Sequence, residues 1–444
     1  MLATCCFGRM AEDEGTTVER PAAASMSLTA CTLSAALERA EPPMWAWRAP
    51  DGTCHLGTGE AVRIVAEGAT RFGTLEDGLE ALTERLPTST TGPRAFIGGR
   101  FFHDPPTTTS PWDQYPTAVA TVPSVQIGWD PDGEITLTVV EVDGPTDLDT
   151  RLSQERDRFE GGTEVNGAIP SITSSTYQPS PSTWRRDVET VTDRLAHPPI
   201  KKAVLAAECT LTLSDRPGAG AMIEQLTQRH PDCWVFLHAP TDESMFLGAT
   251  PERLATLEGR QLKTVALAGS IGRGETIDED ASLREMLLER ESNRHEQAAV
   301  VGDIVARIGS ASDSVRVDER RVRTLSDVQH IETPIQATLR DGVGLLDVAG
   351  RLHPTPAVGG RPRTSALALI REIESIERGW YAAPIGVLDP DGDGTLAVGI
   401  RSARIDGDEA TLYAGNGIVA ESDPMDEWEE LLLKFQAIEE VFDD

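Results

Sequence analysis

The chain has 444 residues, and 40 Lys and Arg against 72 Asp and Glu leave it with a formal charge of −32. A surplus of that size argues against nucleic acid or an anionic membrane surface as a partner. Six cysteines without a CxxC pair indicate neither a disulfide framework nor a zinc ribbon, and no run reaches the ~18 apolar residues of a membrane span, so a cytoplasmic protein is expected.

The acidic residues are scattered from Glu12 to Asp444, and only four positions are lysine against 36 arginines. That is the look of a halophilic protein adapted to concentrated salt, with an acidic mesophilic enzyme from a GC-rich genome as the alternative. In chain order, residues 1–25 read as a disordered extension, with Met26 as an alternative start. Residues 26–444 read as a single domain. Its first part, 26–142, sets a helix over 74–86 among short strand-like runs such as "RAFIGGRFF" and "GEITLTVVEV". Residues 143–182 mix acidic, Gly, Ser and Pro residues and read as a surface connection. A catalytic part, 183–444, follows, with helices expected at 182–196, 222–230, 277–308, 365–376 and 426–441. The pattern predicts an α/β or α+β chain.

Three motifs fail on close reading. "DPDGDG" at 389–394 opens like a calcium loop, but Ile400 stands where the bidentate glutamate is needed, so a hairpin turn is expected. His295-Glu296 opens like a zinc-protease helix, but position 299 is alanine. "GSIGRG" at 269–274 lacks the spacing of a dinucleotide or phosphate loop.

Ten blocks remain: "KKAVLA", "GATPERL", "ALAGSIGRG", "NRHEQ", "VQHIETPI", "LHPTPAVGG", "ERGWYAAPIG", "VGIRSARI", "LYAGNGIV" and "DEWEELLLK". In this order, over roughly 93–442, they resemble the chorismate-binding enzymes, and among these the isochorismate synthases most. The resemblance implies a single large chorismate-binding domain of two face-to-face antiparallel sheets flanked by helices, with the active site in a deep cleft. It also implies conversion of chorismate to isochorismate, by water addition at ring carbon 2 and loss of the hydroxyl on carbon 4, which serves menaquinone or a siderophore, menaquinone being favoured. Such a reaction needs one base and one acid.

Lys202 occupies the family's general-base position. Arginine there would stay protonated, whereas a lysine before an apolar strand such as "AVLA" can lose its proton. Lys201 reads as solvated, and Ala207 stands where the family often has arginine, so a local ion pair is expected to be missing. Glu252 in "GATPERL" matches the general acid. Glu296 and Glu430 match family ligands of Mg2+, which favours a few carboxylates plus water and substrate oxygens. Glu427, one turn before Glu430, faces the same side, and Gln297 stands where many relatives have histidine. Arg401 and Lys434 match anchors for the substrate's carboxylates. His330, Tyr381, Ala357 and the glycines Gly269, Gly415 and Gly417 complete the implied substrate site.

Lysine at position 202 and alanine at position 357 favour water over ammonia, so no obligatory glutaminase partner is expected. Salicylate synthases share the lysine and glutamates, and they remain an alternative, as do the anthranilate and aminodeoxychorismate synthases. A non-catalytic chorismate-binding paralogue would be expected to lose one of Lys202, Glu252, Glu296 and Glu430, and all four are present.

Overall fold

The strand Lys202–Leu213 shows how the sequence sets the layers. Ala203, Leu205, Ala207, Cys209, Leu211 and Leu213 alternate onto one face and enter one hydrophobic core, while Ala206 faces the other core. Both faces are apolar over residues 203–207, as in a strand covered on both sides, and beyond them the second face turns polar with Glu208, Thr210 and Thr212. In the computed structural model, which describes residues 22–83, 92–142, 147–162, 169–274, 276–324 and 328–442, that pattern builds two large sheets.

Among the described residues one sheet has twelve strands and the other ten, and the pairings within both are antiparallel. The sheets face each other across an aromatic layer. Trp45 of the larger stacks on Phe96 of the smaller at 5.8 Å, and Trp380 packs edge-on to Phe246 at 6.3 Å. Helices Pro181–Leu195, Ala219–Arg229 and Pro424–Glu439 send Val188, Met222 and Phe435 into the core outside the larger sheet. Helices Arg71–Thr83, Glu291–Gly309 and Leu345–Leu352 supply Leu75, Ile304 and Leu346 to the core around the smaller one. No helix among the described residues is long and apolar enough to cross a membrane.

Two of the points at which the chain passes between the sheets lie side by side. Strand Ser244–Thr250 lies in the larger sheet and Arg253–Glu258 in the smaller, so residues 251–252 form one crossing. Gly394–Val398 and Ser402–Asp406 repeat the switch in the opposite direction through residues 399–401. Hydrogen bonds tie the crossings together, from Val398 N to Glu252 O at 2.9 Å and from Ala249 N to Arg401 O at 3.1 Å.

Several elements differ from the sequence reading. The helix expected over 277–308 is two helices, Ile277–Glu289 and Glu291–Gly309, separated by Arg290 in an extended conformation. The first buries Leu287 in a satellite cluster with Val322 and Ile331, whereas the second packs into the main core. Asn293 Nδ2 also donates to Leu287 O, satisfying a carbonyl left open at the break. Within 143–182 lie a helix, Leu148–Phe159, and a strand, Ile172–Gln178. The first strand, Ala22–Leu28, begins four residues before Met26, and residues 1–21 lie outside the described residues. The helix read over 74–86 runs Arg71–Thr83, and 84–86 again lie outside them. "DPDGDG" forms the hairpin between Pro384–Leu388 and Gly394–Val398, with Asp389 Oδ1 accepting from the backbone of Asp391 and Asp393.

Candidate active site

The crossings open onto a cleft of about 950 Å³, and every residue assigned to the site from the sequence borders it. Lys202 begins its strand, opposite Arg361 on one neighbouring strand, while Gly417 on the other lies opposite Val204, two residues along. Its Nζ donates to Glu296 Oε1 at 2.8 Å, and its side chain is 19% exposed. The amine therefore meets a carboxylate as well as the apolar surroundings read from "AVLA". Gly417 makes room for it, since a Cβ there would overlap Lys202 Cε and stand 2.9 Å from Nζ.

The strand carrying Lys202 is pinned from beneath. Arg378 Nη2 donates to Val204 O, and Glu374 Oε1 accepts from Ala206 N at 2.8 Å. Arg378 and Glu374 are themselves a buried ion pair. Ala207 is fully buried in the core, so the ion pair that supports this strand comes from residues 374 and 378 instead.

Glu252 is 9% exposed at the first crossing. Burial raises its carboxyl to about 7, against the lowering influence of the Lys202 charge and the Thr355 hydroxyl. Near neutral pH it thus carries a proton much of the time, as a general acid must. The approach to it is fixed by Arg323, whose Nη1 donates to Pro251 O at 2.9 Å.

The last helix brings Glu427, Glu430 and Lys434 to the cleft one turn apart. Lys434 Nζ lies 2.9 Å from Glu430 Oε1 and donates to Gly415 O and Asn416 Oδ1. Asn416 Nδ2 donates in turn to Glu427 Oε2 at 3.0 Å. Burial holds the Glu427 carboxyl above its ordinary range, and the nearby Glu430 charge pushes in the same direction while Ser422 and Asn416 oppose it.

Glu296, Glu427 and Glu430 all border the cleft and offer oxygen donors, the type magnesium prefers, with Glu296 paired to Lys202 and Glu430 to Lys434. Among the described residues no cage of three or more His, Cys, Asp or Glu is assembled around one point. Gln297, beside Glu296, turns to the sheet. Its Nε2 donates to Ala266 O at 2.9 Å and Thr333 Oγ1 at 2.8 Å, so it anchors the helix that carries Glu296.

Arg401 stands at the second crossing with φ +49°, a left-handed conformation uncommon for a side-chain-bearing residue. Such strain is found where function requires a fixed direction. Gly269, φ +76°, marks a bulge in the strand Gln261–Gly272. Tyr381 stacks on Tyr413 with centroids 5.4 Å apart, and its hydroxyl would meet a Cβ at Gly415. His330 sits across from Arg323 on the neighbouring strand, and Ala357 lies in the loop before Gly360–Arg361.

The structure adds residues that sequence reasoning missed. Arg229 at the end of the helix Ala219–Arg229, Arg323, Tyr413 and Glu440 also border the cleft. Asn416 links Glu427 to Lys434. It offered a signal, as a buried-strand polar residue between two glycines of "LYAGNGIV"; the two arginines offered none beyond their charge.

The chain matches the family model for chorismate binding enzymes over residues 14–443. It is 33% identical over 364 residues to the isochorismate synthase MenF of Bacillus subtilis, which covers 80% of this chain and 75% of that protein. It is 39% identical over 259 residues to the salicylate biosynthesis isochorismate synthase of Pseudomonas aeruginosa, where the match spans 58% of this chain and 54% of the relative's length. Among solved structures, MenF, the menaquinone-specific isochorismate synthase from Escherichia coli, superposes with a TM-score of 0.83 over 96% of each chain at 24% identity, a likeness of fold. With the matched model running nearly end to end, this chain belongs to the chorismate-binding enzyme family.

Proposed function

We propose that the protein is an isochorismate synthase, isomerising chorismate to isochorismate with a water molecule entering at carbon 2 and the carbon 4 hydroxyl leaving as water. The observation that carries this reading is Glu252. It is a buried carboxyl raised to about 7, and it borders the same cleft as Lys202. Lys202 takes the proton from the attacking water, and Glu252 gives its proton to the departing hydroxyl. Atoms balance, since one water is consumed and one released. Arg401 and Lys434 bind the substrate's carboxylates, and Tyr381 with Gly269, Gly415 and Gly417 shapes the pocket around the ring. Magnesium held by Glu296 and Glu430 would supply a cationic anchor for a substrate carboxylate.

Two relatives carry the name MenF, which is also that of the menaquinone-specific enzyme of Escherichia coli, and this supports menaquinone synthesis as the use of the product. Ala357, at the position where ammonia-using relatives tend to carry threonine, supports water as the nucleophile.

Purified protein incubated with chorismate and magnesium, followed by chromatographic separation, tests the reading. Isochorismate as the sole product is expected. Salicylate with pyruvate would make it a salicylate synthase, anthranilate formed with ammonia would make it a synthase of the amine-forming type, and unconsumed chorismate would make it a non-catalytic binder.

A further inference from the structure

The strand Glu409–Ile418 sends Leu412, Ala414 and Ile418 into the core that the last helix also enters, and Asn416 falls in the same alternating row, 1% exposed. A polar side chain in an apolar row is costly unless its hydrogen bonds are made, and here they are. Its Nδ2 donates to the backbone carbonyl of Glu427 at 2.6 Å and to Glu427 Oε2 at 3.0 Å, while its Oδ1 accepts from Lys434 Nζ at 2.6 Å. The partners fix which way the amide points, because an ammonium only donates and a carbonyl only accepts. Position 416 therefore needs a donor on one side and an acceptor on the other. Leucine would supply neither, and an ionised aspartate no donor.

The Lys434 ammonium has three protons to donate, and each has an acceptor: Gly415 O at 2.9 Å, Asn416 Oδ1, and Glu430 Oε1 at 2.9 Å. The first two acceptors belong to a strand and are fixed. The third is not, since the Glu430 side chain is 53% exposed and an ion pair so open to water is weak. We propose that Asn416 is a positioning residue for substrate binding, its amide holding Lys434 so that the one proton lent to Glu430 can turn to a carboxylate of the substrate in the cleft. Glu427 grips the other end of the amide and keeps it from rotating. An untethered lysine would give up its rotamer freedom when the ligand arrives, whereas this one has given it up beforehand. The proposal rests on the reading of Lys434 as a substrate anchor. None of these hydrogen bonds involves Lys202 or Glu252, so binding, rather than proton transfer, depends on them.

A double-mutant cycle tests this, with circular dichroism as the control for folding. Asn416→Leu keeps the size of the side chain and suits the apolar row; Asn416→Ala takes its place if the leucine variant does not fold. The substitution should raise KM for chorismate roughly 10-fold, the scale of one hydrogen bond to a charged group, with kcat within about 3-fold of wild type. In a Lys434→Met background it should change KM by less than about 2-fold, because the group through which Asn416 acts is gone. A loss of packing alone would move KM equally in both backgrounds. A KM within about 2-fold of wild type, an equal rise with and without Lys434, or a fall in kcat at constant KM would overturn the proposal. If wild-type protein makes no isochorismate, the synthase reading fails, and the same cycle read as chorismate affinity by calorimetry decides the role of Asn416. Wild-type protein that binds no chorismate would overturn both.

Discussion

Gly417→Ala sets a methyl group against the proposed base while leaving the strand that carries it intact. Gly417 lies opposite Val204 in the strand pair, and its φ is not left-handed, so alanine is accommodated by the backbone. The added Cβ would overlap Lys202 Cε and stand 2.9 Å from Nζ, where ordinary contact begins at 3.4 Å. The amine must therefore withdraw by about 0.5 Å or more, and misplacement on the order of 1 Å can cost ~100-fold in rate. Because the obstructed atoms are the far end of a flexible side chain, folding should be unharmed. The alanine should even gain a few tenths of a kcal/mol by restricting the unfolded chain. The expected result is a kcat for isochorismate formation lowered on the order of 30- to 100-fold, with an unchanged or slightly higher Tm. Gly415→Ala provides the contrast, since its Cβ would meet the backbone carbonyl of Leu205 at 2.9 Å and Tm should fall. A Gly417→Ala enzyme with kcat within about 2-fold of wild type would refute the placement of Lys202 at the reacting water.

Lys202→Arg should be almost as inactive as Lys202→Ala, because arginine does not give up its proton; an arginine variant with most of its turnover would make position 202 an anchor. Glu296→Gln and Glu430→Gln should each weaken magnesium binding measured by calorimetry by ~10-fold or more, and weaken chorismate binding with it. Normal magnesium affinity in either variant would remove that residue from the metal set. The rate should fall as pH rises through about 7, where Glu252 loses its proton, and a profile still rising through that range would show that the acid is another group. Salt gives an inverted expectation. A charge of −32 repels the dianionic substrate, and at ~1 M salt the screening length falls to roughly 3 Å, so KM for chorismate should drop as KCl rises from ~0.1 M while circular dichroism reports a folded protein. A KM that climbs steadily with salt would mean that the local cations outweigh the surface field throughout.

Much of this structure was legible in the sequence because strong periodic patterns and chemistry-bearing blocks carried it. Helices over 182–196 and 426–441 appear as Pro181–Leu195 and Pro424–Glu439, each presenting an apolar stripe. The helix Leu148–Phe159 escaped notice because it buries little beyond Leu152 and Phe159, and its sequence is otherwise charged. The strand Ile172–Gln178 is nearly all exposed, so its pairing with Lys202–Leu213 left no hydrophobic alternation. The break at Arg290 has neither proline nor glycine to announce it, and it follows from two helices packing against different cores. At the site, residue types were readable but environments were not. Nothing in "GATPERL" shows that Glu252 is buried enough to keep its proton near neutrality, because that depends on a sheet crossing. Nothing in "GIRSARI" shows that Arg401 sits at φ +49°.

The central claim is that water enters at carbon 2 under the control of Lys202 and Glu252. Turnover of chorismate in oxygen-18 water, with magnesium present and the product examined by mass spectrometry at low conversion, tests it most directly. The account predicts isochorismate carrying one solvent oxygen, located in the carbon 2 hydroxyl, with the label appearing at a much reduced rate in the Lys202→Ala and Glu252→Gln enzymes. Isochorismate without solvent oxygen would mean that the hydroxyl migrates within the substrate, and the assignment of Lys202 as the base for water would be wrong.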